Sequence, residues 1–185
     1  MARTVYYAAV SLDGFIAEPE EKLTWLMGFE GQDFDGEGVR PIKEDYPAFI
    51  ADVGSMVMGS KTYDFILDED WPYGDTPTWV YTRREDLPKV EGATNLEFAS
   101  GDVAERHGEM LEAAGGKDLW VIGGGDLASQ YVAAGLLDAV ILTVVPVWLG
   151  AGLPLFAEAL PKPLKLTAAH PFDSGMSRLA YEVQR

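Results

Sequence analysis

Apolar and polar positions along the chain follow two periods, and the switches between them mark out the elements. TVYYAAVS (Thr4–Ser11) is rich in strand formers and stops at Asp13-Gly14, a turn dipeptide, so it predicts a first strand. IKEDYPAFIADVG (Ile42–Gly54) predicts a helix near its end, with Pro47 restricting where that helix begins. SMVMG (Ser55–Gly59) is a short apolar run leading into SKTYDFIL, a strand followed by a helix. TWVYT (Thr78–Thr82) predicts another strand and NLEFA (Asn95–Ala99) a weaker one. Asp102-x-x-Glu105 has the form of a capping box, and the helix DVAERHGEMLEAA that follows it stops at Gly115-Gly116. DLWVIG then reads as a strand, DLASQYVAAG as a helix with Leu127 and Tyr131 on one face, and DAVILTVVPVWL as a long buried strand. LKLTAAHPF and SRLAYEVQ flank Asp173-Ser174-Gly175, the pattern of an antiparallel hairpin. Strand and helix patterns alternating without repeat or linker predict one α/β domain around a mixed sheet.

Charge and composition narrow what such a domain can do. The 185 residues carry 30 acidic and 14 basic side chains, a formal net charge of -16 that repels nucleic-acid backbones and anionic lipid. Neither nucleic acid nor a membrane is an expected partner. The chain has no cysteine, so disulfides, thiolate zinc sites and a cysteine nucleophile are excluded, and the cytoplasm is the expected compartment. With two histidines, a metal site lacks its commonest ligands and none is expected. His107 sits at helical spacing from Val103 and Met110, and His170 lies in a strand, both readings being structural.

Three consecutive glycines, Gly123, Gly124 and Gly125, stand between a strand ending at Ile122 and a helix starting near Asp126. Helix N-terminal amides have no intrahelical partner and favour an anion, and without side chains a pyrophosphate can approach the backbone closely. A tight strand-to-helix turn also uses glycine, so the run alone leaves both readings open. Asp126 suits the helix dipole and is expected to turn away from the anion. No Lys-Ser/Thr pair follows the glycines, which excludes a P-loop.

VIGGGDLASQYVAAGLLDAVILTVVPVWLGAGLPLF resembles the C-terminal half of the dihydrofolate reductase-like proteins, in particular the reductase domain of the riboflavin-biosynthesis deaminase-reductase. AVSLDGFIA (Ala9–Ala17), MVMGSKTYD (Met56–Asp64) and VYTRR (Val80–Arg84) fall in the matching order, leaving Glu18 to Asp52 poorly matched. The resemblance implies a three-layer α/β/α sandwich with a mixed, mainly parallel sheet of about eight strands and a C-terminal antiparallel hairpin, in one domain over residues 1–185. It also implies NADPH lying across the strand ends and hydride transfer to a small heterocyclic substrate. Ile122, Gly123, Gly124, Gly125, Asp126 and Leu127 match the pyrophosphate turn. Gly59, Ser60, Lys61 and Thr62 match a second phosphate-holding turn, Thr82 and Arg83 the loop beside the adenosine ribose, and Ala9 and Ile16 the surroundings of the nicotinamide. Where the family usually has arginine after Met-Gly this chain has Ser60, so Lys61 or Arg83 would have to supply a cation for a 2′-phosphate.

Proton supply is open at this level. Asp13 in SLDG fits the substrate-side acid of the riboflavin-type reductases and equally reads as an Asp-Gly turn residue. Glu44 and Asp45 are the other candidates and double as helix-start acids. The substrate motif of the riboflavin reductases is replaced by YDFILDEDWPYGD, whose acidic Asp68 to Asp70 disfavours a phosphorylated ligand. The leading expectation is an NADPH-dependent reductase similar to 5-amino-6-(5-phosphoribosylamino)uracil reductase or dihydrofolate reductase. An NADP(H)-binding module without turnover is the alternative, and a purely structural α/β scaffold is a third reading. A homodimer is expected, through the apolar strand Ala139–Leu149 or the C-terminal hairpin.

Overall fold

The computed structural model describes residues 2–29, 40–67 and 69–184, with residues 40–45 described by their backbone alone. The elements in chain order are β1 (Thr4–Ser11), β2 (Phe15–Ala17), α1 (Thr24–Met27), α2 (Arg40–Ala51), β3 (Val53–Gly59), α3 (Ser60–Asp64), β4 (Thr78–Tyr81) and β5 (Leu96–Ala99). They continue with α4 (Val103–Ala113), β6 (Asp118–Gly123), α5 (Gly125–Ala133), β7 (Ala139–Val145), β8 (Leu153–Pro154), β9 (Lys165–Pro171) and β10 (Ser177–Glu182). Eight strands form one sheet in the order β5-β4-β3-β6-β1-β7-β10-β9. Pairing is parallel from β5 through to β7, and β10 is antiparallel to both β7 and β9. The fold is therefore a mixed, mainly parallel sheet closed by a C-terminal antiparallel hairpin.

Side-chain alternation along the central strands explains the three layers. Leu119 and Val121 of β6 join Tyr6, Val57 and Trp79 on one face, where Val103 and Met110 of α4 and Leu127 and Tyr131 of α5 cover them. Trp120, Tyr7 and Met56 point to the opposite face, under Phe49 of α2. Beside them Met58 and Val80 lie under Tyr63 of α3. Burial on both faces is why these strands read as near-continuous apolar runs.

Local chemistry sets several boundaries. The Asp102 carboxylate accepts from the Ala104 amide at 2.8 Å, capping α4. Gly115 and Gly116, at φ +62° and +90°, end it.

Three sequence expectations need correction. Pro47 does not begin the helix but lies inside α2, whose backbone starts at Arg40. The strand expected to run to Leu149 stops at Val145, because Pro146 has no N–H to donate, and the Val147 amide turns back onto the Val145 carbonyl at 2.8 Å. That strand also lies between β1 and β10, so it offers no sheet edge for a partner. The edges belong to β5 and β9, and all seven residues of β9 are exposed. No helix among the described residues is long and apolar enough to cross a membrane.

Candidate active site

A cleft of about 990 Å³ opens beyond the carboxyl ends of the parallel strands, the usual ligand position on such sheets. Its wall includes the strand-to-helix turn from β3 into α3 (Gly59, Ser60, Lys61, Thr62) and the turn from β6 into α5 (Ile122 to Leu127). Thr82 and Arg83 enter after β4, and Ala9 and Ile16 from the N-terminal segment. Every residue matched above to a cofactor contact thus borders one space. Asp13 does not line it.

The three glycines differ in what their neighbours permit. A Cβ on Gly125 would meet the Pro154 carbonyl oxygen at 2.3 Å and that of Leu155 at 2.8 Å, so close packing against β8 demands glycine there. A Cβ on Gly124 would find only Ile16 Cδ1 at 3.9 Å and Thr62 Oγ1 at 4.0 Å, both from cleft-lining residues. Gly124 also has φ -91° and ψ -170°, accessible to any residue. Packing accounts for the third glycine, whereas the second, joined to Gly123 by a cis peptide bond, faces the cleft. Behind them, the first-turn amides of α5 lack intrahelical partners by construction. The Asp126 carboxylate accepts from Gln130 Nε2 at 2.9 Å, one turn along the helix.

The cations of the wall are not equivalent. Lys61 is paired with Glu21, a residue at φ +62° on the segment between β2 and α1. Arg84 is held by Asp64 at 2.6 Å, which keeps its guanidinium above its ordinary pKa through that hydrogen bond. Arg83 makes no ion pair among the described residues and is exposed. On the same wall the Tyr81 hydroxyl is buried with no partner among the described residues, and burial pushes its pKa up.

Asp13 is engaged elsewhere. Its carboxylate accepts from Ser11 Oγ at 2.7 Å, the Leu149 amide at 3.1 Å and the Gly150 amide at 2.7 Å, tying the end of β1 to the bend after β7. Desolvation acts to raise its pKa, but the hydrogen bonds from Ser11, Leu149 and Gly150 outweigh it and hold the carboxyl below its ordinary value. The side chains of Glu44 and Asp45, and Asp68 altogether, lie outside the described residues. His107 Nε2 lies 2.8 Å from Thr4 Oγ1 and its ring packs on Tyr131, while His170 sits on the exposed β9 against Phe172. Trp25 is buried with Val145 and Met176 rather than on the cleft wall.

The RibD C-terminal domain family matches residues 71–177. The chain belongs to that family. This RibD C-terminal domain is 33% identical over 158 residues to the uncharacterized protein YwjB of Bacillus subtilis (strain 168), covering 84% of this chain and 83% of that one. Among solved structures, a protein of Shewanella sp. PV-4 named for riboflavin biosynthesis superposes with a TM-score of 0.78 at 27% identity, with 100% of each chain covered. Dihydrofolate reductase from Enterococcus faecalis, complexed with NADP(H) and RAB-propyl, superposes with a TM-score of 0.65 over 99% of this chain and 97% of that one. At 17% identity that likeness shows a shared fold alone, so the chain has a dihydrofolate reductase-like fold.

Among the wall residues that the sequence reading missed are Tyr7 and Tyr73. Tyr7 could have been found, since strand alternation puts it on the same face as Ala9. Tyr73 lies in the irregular stretch between α3 and β4, where no periodicity points to a site.

Proposed function

We propose that this protein is an NADPH-dependent oxidoreductase acting on a small heterocyclic substrate, similar to 5-amino-6-(5-phosphoribosylamino)uracil reductase or dihydrofolate reductase, with residues 1–185 as one domain. The observation that carries this reading is Gly124, a position on the cleft wall, joined to Gly123 by a cis peptide bond, where a Cβ would meet only cleft residues. The Enterococcus reductase with NADP(H) bound shares the fold and lends the cofactor assignment support.

In this reading the α5 first-turn amides and Gly123 to Gly125 receive the pyrophosphate, with Thr62 and Ser60 completing the cradle. Arg83, unpaired among the described residues, meets the 2′-phosphate in place of the absent family arginine. Ala9 and Ile16, which line the cleft, would wall the nicotinamide. When bound, NADPH supplies the hydride. Asp13 acts as a positioning residue that fixes the bend after β7, since three donors already occupy its carboxylate. With no matched carboxylate on the cleft wall among the described residues, the chain also fits a second reading, an NADP(H)-binding module without turnover. A homodimer through the exposed edge strand β9 completes the proposal.

Calorimetric titration with NADPH and NADH tests the cofactor, with Arg83→Gln alongside. The expected result is tighter NADPH binding in the wild type, weakened about tenfold by the substitution with NADH unaffected, the loss of one charge-assisted phosphate contact. Absence of binding by either coenzyme would sink the reading. NADPH binding without oxidation across a heterocycle panel selects the module.

A further inference from the structure

Among the described residues, the half of the cleft facing α2 is built differently from the half that carries the glycine turn and the cations. Tyr7 of β1 and Ile122 of β6 project from the sheet toward α2, and the segment after α3 brings Ile66 and Tyr73 against them. All four line the cleft. Trp120 anchors the two tyrosines: its ring centroid lies 5.9 Å from that of Tyr73, with the planes at 88°, and 6.3 Å from that of Tyr7. Trp71 packs edge-on against Tyr73 at 5.1 Å. A ring fixed on two sides holds its hydroxyl in a set direction before any ligand arrives. The Tyr7 hydroxyl lies 3.3 Å from Thr143 Oγ1, whereas the Tyr73 hydroxyl has no hydrogen-bond partner among the described residues.

We propose that Tyr73, with Tyr7 beside it, recognises the substrate, and that the pair selects an uncharged planar ring bearing a carbonyl or imine acceptor and no phosphate. This rests on the reductase reading for the identity of the remaining half of the cleft. The Tyr73 phenol offers one hydrogen bond to a ring acceptor, the ring of Tyr7, whose hydroxyl is engaged with Thr143, walls the space beside it, and neither side chain balances a phosphate charge. Among the described residues, the cations of the wall all belong to the first turn of α3 or the turn after β4 (Lys61, Arg83, Arg84), two of them already paired with Glu21 and Asp64. The segment that delivers Ile66 and Tyr73 instead carries exposed Glu69 and Asp70, which repel an anionic substituent. Burial, with Tyr46 nearby, pushes the Tyr73 pKa up, so its hydroxyl keeps its proton and stays a donor at any working pH.

Lumazine, a bicyclic ring with two carbonyls, serves as the probe, with uridine and uridine 5′-monophosphate as a matched pair differing by the phosphate. Each is titrated into the full chain and into Tyr73→Phe, which keeps the ring and its packing, and NADPH is titrated into both in parallel. The expected results are lumazine binding weakened about threefold to tenfold in the variant, NADPH affinity unchanged, and no preference for the nucleotide over the nucleoside. Equal lumazine affinity in both proteins, no lumazine binding at all, or a tenfold preference for the phosphorylated pyrimidine would each overturn the proposal. Loss of NADPH binding with the lumazine difference intact would instead fell the cofactor reading and leave this one standing.

Discussion

Replacing Gly124 and Gly125 separately with alanine splits the two demands that the glycine turn serves. At Gly125 the new Cβ would lie 2.3 Å from the Pro154 carbonyl oxygen and 2.8 Å from that of Leu155. The first contact is roughly 1 Å inside van der Waals separation, and both opposing atoms are backbone, so β8 must move away from α5. Overpacking of this kind costs about 1–3 kcal/mol, which for a chain of this size lowers Tm by about 2–12 °C. At Gly124 the neighbours at 3.9 and 4.0 Å are in ordinary contact, and alanine should leave Tm within about 2 °C of wild type. Its methyl group would instead occupy the space reserved for the coenzyme, and NADPH affinity should fall tenfold or more, at least about 1.4 kcal/mol. Thermal melts and calorimetric titration on both variants read the two effects independently. Wild-type NADPH affinity in Gly124→Ala would refute the placement of the dinucleotide, and a wild-type Tm in Gly125→Ala would refute the close approach of β8.

Two further outcomes follow from the same coordinates. Asp13→Asn replaces one acceptor oxygen with a donor facing amide or hydroxyl donors, so Tm should fall at neutral pH. Because the folded carboxyl titrates below its unfolded value of about 3.9, its stabilisation is present above that pH and lost as pH falls through the folded pKa. Melts from pH 7 downward should therefore show the wild-type advantage constant to about pH 5 and shrinking below pH 4, whereas an unchanged Tm with abolished NADPH oxidation would make Asp13 catalytic. Sedimentation should find twice the chain mass, and Leu166→Glu, at a residue 53% exposed on β9, should halve it; a monomeric wild type removes the dimer.

Legibility in the sequence followed the length of each element and the directness of its chemistry. β1, β3, β6 and β7 could be read because strands buried on both faces leave unbroken apolar runs, and α4 because Asp102 and Gly115 sit at its ends. The β2–β8 ribbon, of three and two residues, and the four-residue α1 are too short for any period to register. Pro47 was read through its local cost, which the tertiary setting of α2 overrides. At the cleft, only the glycine run announced a site on physical grounds, and family resemblance supplied the other candidate contacts. The clash that demands Gly125 comes from Pro154 and Leu155, about thirty residues downstream, and no local pattern could reveal it.

The sheet order carries a consequence for synthesis. β1 lies between β6 and β7, so this strand pairs only with segments made more than a hundred residues later. Until then β1 has no strand partner on either side, and the nascent chain exposes an unpaired apolar strand. Closure across such separations is slow, and the finished sheet also waits for β10, which pairs with β7 and β9. The sheet is thus assembled only once β6, β7 and β10 have all been made, and its yield should track chaperone capacity more closely than the stability of the final sheet.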